Sequence, residues 1–330
     1  MIESRIDWLK ERQRGIGGSD VTAIATPLPA TRAEWLAQRR TGIGGSDVAP
    51  ILGISPWRTP YQVWEDKTGR GEDQADSPAL YWGRLLEDPI RQAYADRTGL
   101  SVTKPDCMYA SATHPFMHAT LDGIASDGRL VEFKTTSCAD GWGEEGSDEI
   151  PEYYQTQVQH YMSVMSAEQT DIGVLIAGRD FRIYTVPADK ELQEMLIEQE
   201  GRFWELVKTD TPPEVSTSED ASRRWRTASA KKTVAADAQM LEAWQHLCSI
   251  RSQIDNLRTE EDELKTLLMS GMQDAVSLKC NGKTLASWSL PSTRTTVDSK
   301  KLKQDFPAIW EQVAKTSAPQ RTFRIYAPKE

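Results

Sequence analysis

Asp122, Glu132 and Lys134 are the residues whose types and spacing most directly suggest a reaction. Residues i and i+2 of a strand point to the same face, so Glu132 and Lys134 of RLVEFKTT project together. A turn at Ser126-Asp127-Gly128 lays the preceding segment FMHATLDGIA alongside and sets Asp122 next to them. Two carboxylates and a lysine on one surface suit metal-assisted phosphodiester cleavage. Hard carboxylate oxygens hold Mg²⁺, or Mn²⁺ in its place. Such an ion acidifies water and neutralises the leaving oxygen. Lys134 is fitted to position the attacking water. A surface cross-strand ion pair is the alternative reading of the same spacing.

Other residues extend this constellation. Glu87, in WGRLLEDPI, comes from a helix and would add a third carboxylate to the metal site; its alternative is a solvated helix glutamate. Gln157 and Tyr161 are four apart and share a helix face, where an amide and a hydroxyl would orient the phosphate or the water. Gly44-Gly45-Ser46-Asp47 precedes the apolar run VAPIL, so Ser46 or Asp47 reads as a helix N-cap. Glycines let backbone amides converge, and a helix N-terminus favours an anion. With Arg39 and Arg40 just upstream, the expected feature is a phosphate pocket. Alone, the motif reads as a turn and a cap. A zinc ribbon is excluded at the level of pattern. Cys107, Cys138, Cys248 and Cys280 form no CxxC pair, and the histidines form no HExxH.

These residues need a scaffold to position them. The chain has 330 residues, enough for about two domains, and a net charge of −10. That charge argues against a polycationic DNA coater, while leaving room for an acidic site beside a basic groove. A near-repeat is present: WLKERQRGIGGSDVTAI starts at Trp8 and WLAQRRTGIGGSDVAPI at Trp35. The copies diverge afterwards, so the second, which runs on into a helical pattern, is taken as the working one. Helices are expected near 60–69, 79–98, 152–166 and 189–208, with strands at 116–125, 129–136, 170–177 and 181–186. That order is an α/β layer arrangement. Residues 209–234 are polar and rich in Pro, Ser and Thr and read as a linker. A long helix or coiled coil over 236–275 follows, then a hairpin at Asn281-Gly282, a short helix at 299–315 and a strand at 321–327. The domain expectation is an N-terminal extension at 1–32, a catalytic domain at 33–208, the linker, and an accessory region at 235–330. Two basic clusters, Arg223, Arg224, Arg226, Lys231 and Lys232 around Trp225, and Lys300, Lys301 and Lys303, either track DNA phosphates or are simply solvated. No apolar leader and no run of 18 apolar residues are present, so a cytoplasmic protein is expected.

In this order RRTGIGGSDVAPILGISPWRTPYQVWEDKTGR, WGRLLEDPI, TLDG…VEFK and QVQHY resemble the YqaJ-type viral recombinase family, which belongs with lambda exonuclease in the PD-(D/E)XK nuclease superfamily. The resemblance covers about residues 33–208. It implies a restriction-endonuclease-like core, a central mixed sheet flanked by helices. It also implies a Mg²⁺-dependent exonuclease of phage type, which degrades one strand of linear duplex DNA from the 5′ end and leaves 3′ single-stranded tails for homologous recombination. By the same resemblance Asp122 and Glu132 are metal ligands, Lys134 is the catalytic lysine, Glu87 is the helix glutamate, and Gln157 and Tyr161 form the Q-x-x-x-Y motif. Ser46 and Thr120 match positions that hold the 5′-phosphate, and Arg40 matches an arginine with a one-residue gap. A homo-oligomer, a trimer in the nearest pattern, and a strand-annealing partner protein are implied. Two departures stand out: the first GIGGSD copy, with Ser19 and Asp20, and the region beyond 209. Alternatives are a RecB- or Cas-type nuclease acting on single strands and a non-catalytic DNA-binding or assembly module.

Overall fold

The protein is described by a computed structural model that covers residues 22–71, 77–228, 232–315 and 321–326. The first GIGGSD copy, with Ser19 and Asp20, and Lys231 lie outside the described residues. The chain divides into two compact units, one ending at Arg224 and one beginning at Trp225.

The first unit is an α/β assembly of two sheets and the helices that cover them. One sheet has the order β1 (Ala23–Pro27), β4 (Cys107–Ser111), β5 (Met117–Ala119), β2 (Ile43–Gly44). The other is β3 (Val102–Thr103), β6 (Gly123–Ala125), β7 (Leu130–Thr136), β8 (Gln169–Ile176), β9 (Asp180–Pro187). It is mixed: β7 and β8 run parallel, and its other pairs are antiparallel. Parallel neighbours need a crossover, and α5 (Glu152–Met165) supplies it.

Alternation along β7 shows how the sheet is covered. Leu130 joins the core with Val158, Tyr161 and Met162 of α5. Val131 and Phe133 join Ile90 and Tyr94 of α4 (Pro78–Thr98). The sheet therefore has α4 on one face and α5 on the other, and Glu132 and Lys134 share the α5 face with Leu130. Local signals fix the helix ends. Ser77 accepts from Leu80 N and Pro78 occupies the first turn of α4, while Gly99, at φ 72°, ends it. Asp189 caps α6 (Lys190–Lys208) by accepting from Leu192 N. A third cluster packs Val48 of α2 (Gly45–Ile51), Tyr61 and Trp64 of α3 (Pro60–Lys67), and Leu196 and Phe203 of α6 around Ile43.

Five expectations need correction. The strand expected over 116–125 is two strands in different sheets, β5 and β6, because the chain changes sheets through Thr120-Leu121-Asp122. Part of the expected N-terminal extension, β1, is a strand of the first sheet paired with β4. The segment read as a linker carries α7 (Ser218–Arg224), anchored by Thr59 Oγ1 donating to buried Asp220 at 2.8 Å. Arg223 there faces Glu219 and Glu65, at 2.9 and 3.4 Å. Between β1 and β2, α1 (Arg32–Arg39) carries a Thr31–Glu34 capping box and delivers Arg39 to the next turn.

In the second unit, α8 (Ala238–Met272) is one long helix. It is followed by β10 (Ser277–Cys280) and β11 (Lys283–Ser287), joined through Asn281 and Gly282, both at positive φ as a two-residue hairpin turn requires. The fourth and fifth corrections fall here. The helix expected at 299–315 is two helices, α9 (Ser299–Asp305) and α10 (Pro307–Val313), because Pro307 has no N–H to continue α9 and opens a new first turn instead. The described part of the expected final strand, 321–326, pairs with nothing as a strand.

Candidate active site

Asp122 lies one step beyond the β6–β7 ladder, where Gly123 pairs with Val131, so it comes opposite Glu132. Phe133 N donates to Asp122 Oδ2 at 2.9 Å, which pins the carboxylate at the sheet switch. Lys134 Nζ donates to Glu132 Oε1 at 2.6 Å and to Gln157 Oε1 at 3.1 Å. Gln157 Nε2 in turn donates to Glu132 Oε1 at 2.7 Å and to Tyr161 Oη at 3.1 Å. The Lys134 ammonium also sits over the Tyr154 ring, 4.8 Å from its centroid. Asp122, Glu132, Lys134, Gln157 and Tyr161 thus form one connected group.

Its electrostatics favour a cation. Burial and the Glu132 carboxylate push the Asp122 carboxyl up to about 7, against the pull of Lys134. Burial depresses the Lys134 ammonium, but Glu132 and Asp122 more than reverse this and hold it above the usual lysine value. Glu132 Oε2 is buried and takes no hydrogen bond. Two close carboxylates with one orphaned oxygen form a hard-oxygen donor set that fits a divalent cation.

Glu87 stands elsewhere than expected. Its carboxylate pairs with Arg91, at 2.6 Å, and with Lys104. Among the described residues no three His, Cys, Asp or Glu side chains converge as a metal cage. Glu87 instead holds Lys104, whose charge is felt at Asp122.

The phosphate pocket expected from the glycine motif is a cavity of about 30 Å³ lined by Arg39, Gly44, Gly45, Ser46, Met108, His118, Thr120 and Tyr161. Arg39 Nη2 donates to Ser46 Oγ at 3.0 Å. Arg40 is not in the lining; its guanidinium faces Asp66 at 3.7 Å, so Arg39 is the arginine of the pocket. Neither Ser46 nor Asp47 is the N-cap. Gly44 holds that place, and Asp47, at the third helical position, accepts from Gly44 N at 3.1 Å. The glycines are needed for close approach. A Cβ on Gly45 would meet the Tyr161 ring at 2.5 Å, and one on Gly42 would meet His118 at 2.4 Å. Tyr161 therefore belongs to both places: it lines the cavity and accepts from the amide that holds Glu132.

Lys67, His118 and His160 have no place in the sequence-based expectations, and Asp47 figures there only as a cap. Asp47 is fully buried among Lys67 at 2.6 Å, Arg58 at 3.3 Å and Arg39 at 3.6 Å. Burial alone would raise its carboxyl, and these cations overcome it and hold it far below the usual range. Lys67 also donates to Arg39 O at 2.9 Å, fixing the backbone of the pocket arginine. Its signal was a lysine on the same face of α3 as Val63 and Trp64. His118, buried at the cavity, is pushed down to about 4, first by burial and then by Lys67, so it is neutral. Buried His160 donates from Nδ1 to Glu200 and from Nε2 to His118 O, both at 2.9 Å. Nothing in the local pattern marks either histidine.

With this geometry in view, two comparisons decide the family. Residues 34–171 match the model of the YqaJ-like viral recombinase domain. The chain is 34% identical to an uncharacterized protein named YqaJ from Bacillus subtilis, over 99% of this chain and 95% of that protein. The chain belongs to the YqaJ-like viral recombinase family. Among solved structures, the alkaline exonuclease LHK-Exo of Laribacter hongkongensis is similar at 20% identity and a TM-score of 0.44, covering 54% of this chain and 94% of that chain. A structure described as a putative exonuclease from Eubacterium rectale is similar at 14% identity and a TM-score of 0.43, covering 64% and 97%. The stretch matched by the family model includes every residue of the carboxylate group and the pocket named above.

Proposed function

We propose that this member of the YqaJ-like family is a metal-dependent exonuclease that degrades one strand of linear duplex DNA from the 5′ end and leaves 3′ single-stranded tails for recombination. One observation carries the reading: Tyr161 joins the Asp122–Glu132–Lys134 group to the small cavity lined by Arg39, Ser46 and Thr120. A nuclease centre and an anion pocket then share a wall.

Asp122 and Glu132 are the residues that would hold Mg²⁺, or Mn²⁺. A bound divalent cation supplies charge neutralisation at the scissile phosphate and acidifies water. Lys134 presents its ammonium beside both carboxylates, where it orients the attacking water and offsets charge on the phosphate. Gln157 holds Lys134 and Glu132 in register through paired amide bonds. Glu87 acts at one remove, by holding Lys104. Arg39, Ser46 and Thr120 would hold the terminal 5′-phosphate, with Lys67 and Asp47 fixing Arg39 from behind. Contacts of this kind address ends and backbone rather than base sequence.

A homo-oligomer and a strand-annealing protein are the proposed partners, with linear duplex DNA the substrate. Among the described residues no helix is long and apolar enough to cross a membrane. The test compares linear duplex, closed circular duplex and single-stranded DNA with Mg²⁺, Mn²⁺ or EDTA. Release of nucleotides from the linear duplex only, and only with metal, is expected. Preference for single strands would favour the RecB- or Cas-type alternative. DNA binding without turnover would favour an assembly module.

A further inference from the structure

A series of aromatic rings leads from half-buried Tyr154, beside Lys134, to exposed Trp57. Trp57 lies between α2 and α3 and is 65% exposed. Its ring is nonetheless held in place. It lies nearly perpendicular to Tyr153, at a centroid distance of 4.8 Å and an angle of 80°, and stands 6.5 Å from Tyr154. Tyr153 and Tyr154 are themselves packed at 4.5 Å. Tyr154 carries the Lys134 ammonium 4.8 Å from its centroid. Backbone bonding fixes the other side: Ser55 Oγ accepts from Trp57 N at 3.2 Å and from Arg58 N at 3.3 Å. Arg58 in turn is held by buried Asp47.

An indole combines a large flat apolar ring with a polar N–H and prefers offset-stacked or edge-to-face contact with other aromatic rings. With Tyr153 and Tyr154 packed beside it, Trp57 still keeps 65% of its surface exposed, which leaves room for a flat partner. Two short legs, 4.8 and 6.5 Å, connect it through Tyr154 to the Lys134 ammonium. Stacked bases rise about 3.4 Å per step along a strand, so the indole stands within about three base steps of the Lys134 ammonium.

We infer that Trp57 is a base-stacking subsite: its indole face takes a nucleobase of the strand being cut and holds the phosphate beside it at Lys134. This rests on the nuclease reading of the site. Every base offers a π face, so the subsite adds affinity and placement without sequence preference. Stacking of this kind is worth about 1–3 kcal/mol per base, or about 5- to 150-fold in binding.

The test pairs a protein change with a substrate change. Trp57→Ala and Trp57→Phe are compared with the wild type on duplexes that carry a single abasic residue, stepped through the first positions of either strand. With the wild type, an abasic residue at one position of the cut strand should lower kcat/KM by about tenfold. Trp57→Ala should lower it similarly on intact DNA and show no further loss at that position. Trp57→Phe should retain most of the wild-type value. Equal abasic penalties in wild type and Trp57→Ala would overturn the inference, as would full activity of Trp57→Ala on intact DNA. A penalty confined to the uncut strand would overturn it too. Wild-type turnover with metal is the separate check on the nuclease reading. If that fails, the same comparison read as the Kd of labelled oligonucleotides still decides whether Trp57 stacks a base.

Discussion

The role proposed for Lys134 rests on its ammonium, which is shared between Glu132, Gln157 and the Tyr154 ring inside a group that holds two carboxylates. Lys134→Ala should lower nucleotide release by at least about 10²–10³-fold, as loss of one group aimed at developing charge does, while folding and DNA binding persist. Circular dichroism and a binding titration separate those effects; retained turnover would contradict the assigned role. Ser46 offers a second test at this scale. Ser46→Ala removes the hydroxyl that accepts from Arg39, and should erase about tenfold or more of the preference for a 5′-phosphate over a 5′-hydroxyl end. Ser19→Ala should leave that preference intact, and the opposite result would transfer the pocket to the first GIGGSD copy. The carboxylates and the lysine were legible because strand periodicity alone puts Glu132 and Lys134 on one face. The choice between Arg39 and Arg40 was not, because α1 ends within that dipeptide and its last turn decides which guanidinium reaches Ser46.

At the scale of elements, the glycine turn and α5 fit each other so closely that one methyl group separates success from failure. Gly45→Ala would push a Cβ to 2.5 Å from the Tyr161 ring. Overpacking of that kind should cost about 1–3 kcal/mol, read as a lower midpoint in urea, and should displace Tyr161 from both the cavity and Gln157. Helix α6 reaches the same region through Glu200. Burial disfavours the charged form of His160, but the Glu200 carboxylate overrides it, and the His118 carbonyl and Asp47 act in the same direction, so the imidazolium is held above its ordinary value of 6.5. A raised value contributes stability that is complete below 6.5 and is lost as the pH rises through the folded value. The melting temperature should therefore fall on raising the pH above 6.5, and Glu200→Gln should flatten that dependence while lowering stability at pH 6. A pH profile unchanged by Glu200→Gln would contradict the assignment. Most helices and strands of this unit were legible from period and capping residues. The sheet switch at Thr120–Asp122 was not: both strands continue one alternating pattern, and only tertiary pairing divides them.

For the whole molecule, the two compact units call for different arguments. The first holds every residue of the proposed reaction. The second is dominated by α8, where Ile250, Ile254, Leu257, Leu264 and Leu268 follow the 3-4 spacing of a coiled coil and are all exposed. A second copy would cover that seam, so the full chain should run above a monomer by light scattering and Leu257→Lys should shift it toward one; a monomer at high concentration would contradict the homo-oligomer. The length of α8 was plain in the heptads, whereas the break between α9 and α10 depends on a single proline. In the proposed function one site, anchored on Asp122, Glu132 and Lys134, removes nucleotides from the 5′ end of a duplex. The most direct measurement follows a linear duplex labelled separately at its 5′ and 3′ ends, with Mg²⁺ or with EDTA. Early loss of the 5′ label is expected with Mg²⁺, with none in EDTA and none from Lys134→Ala. Early loss of the 3′ label, or release that persists in EDTA, would contradict it.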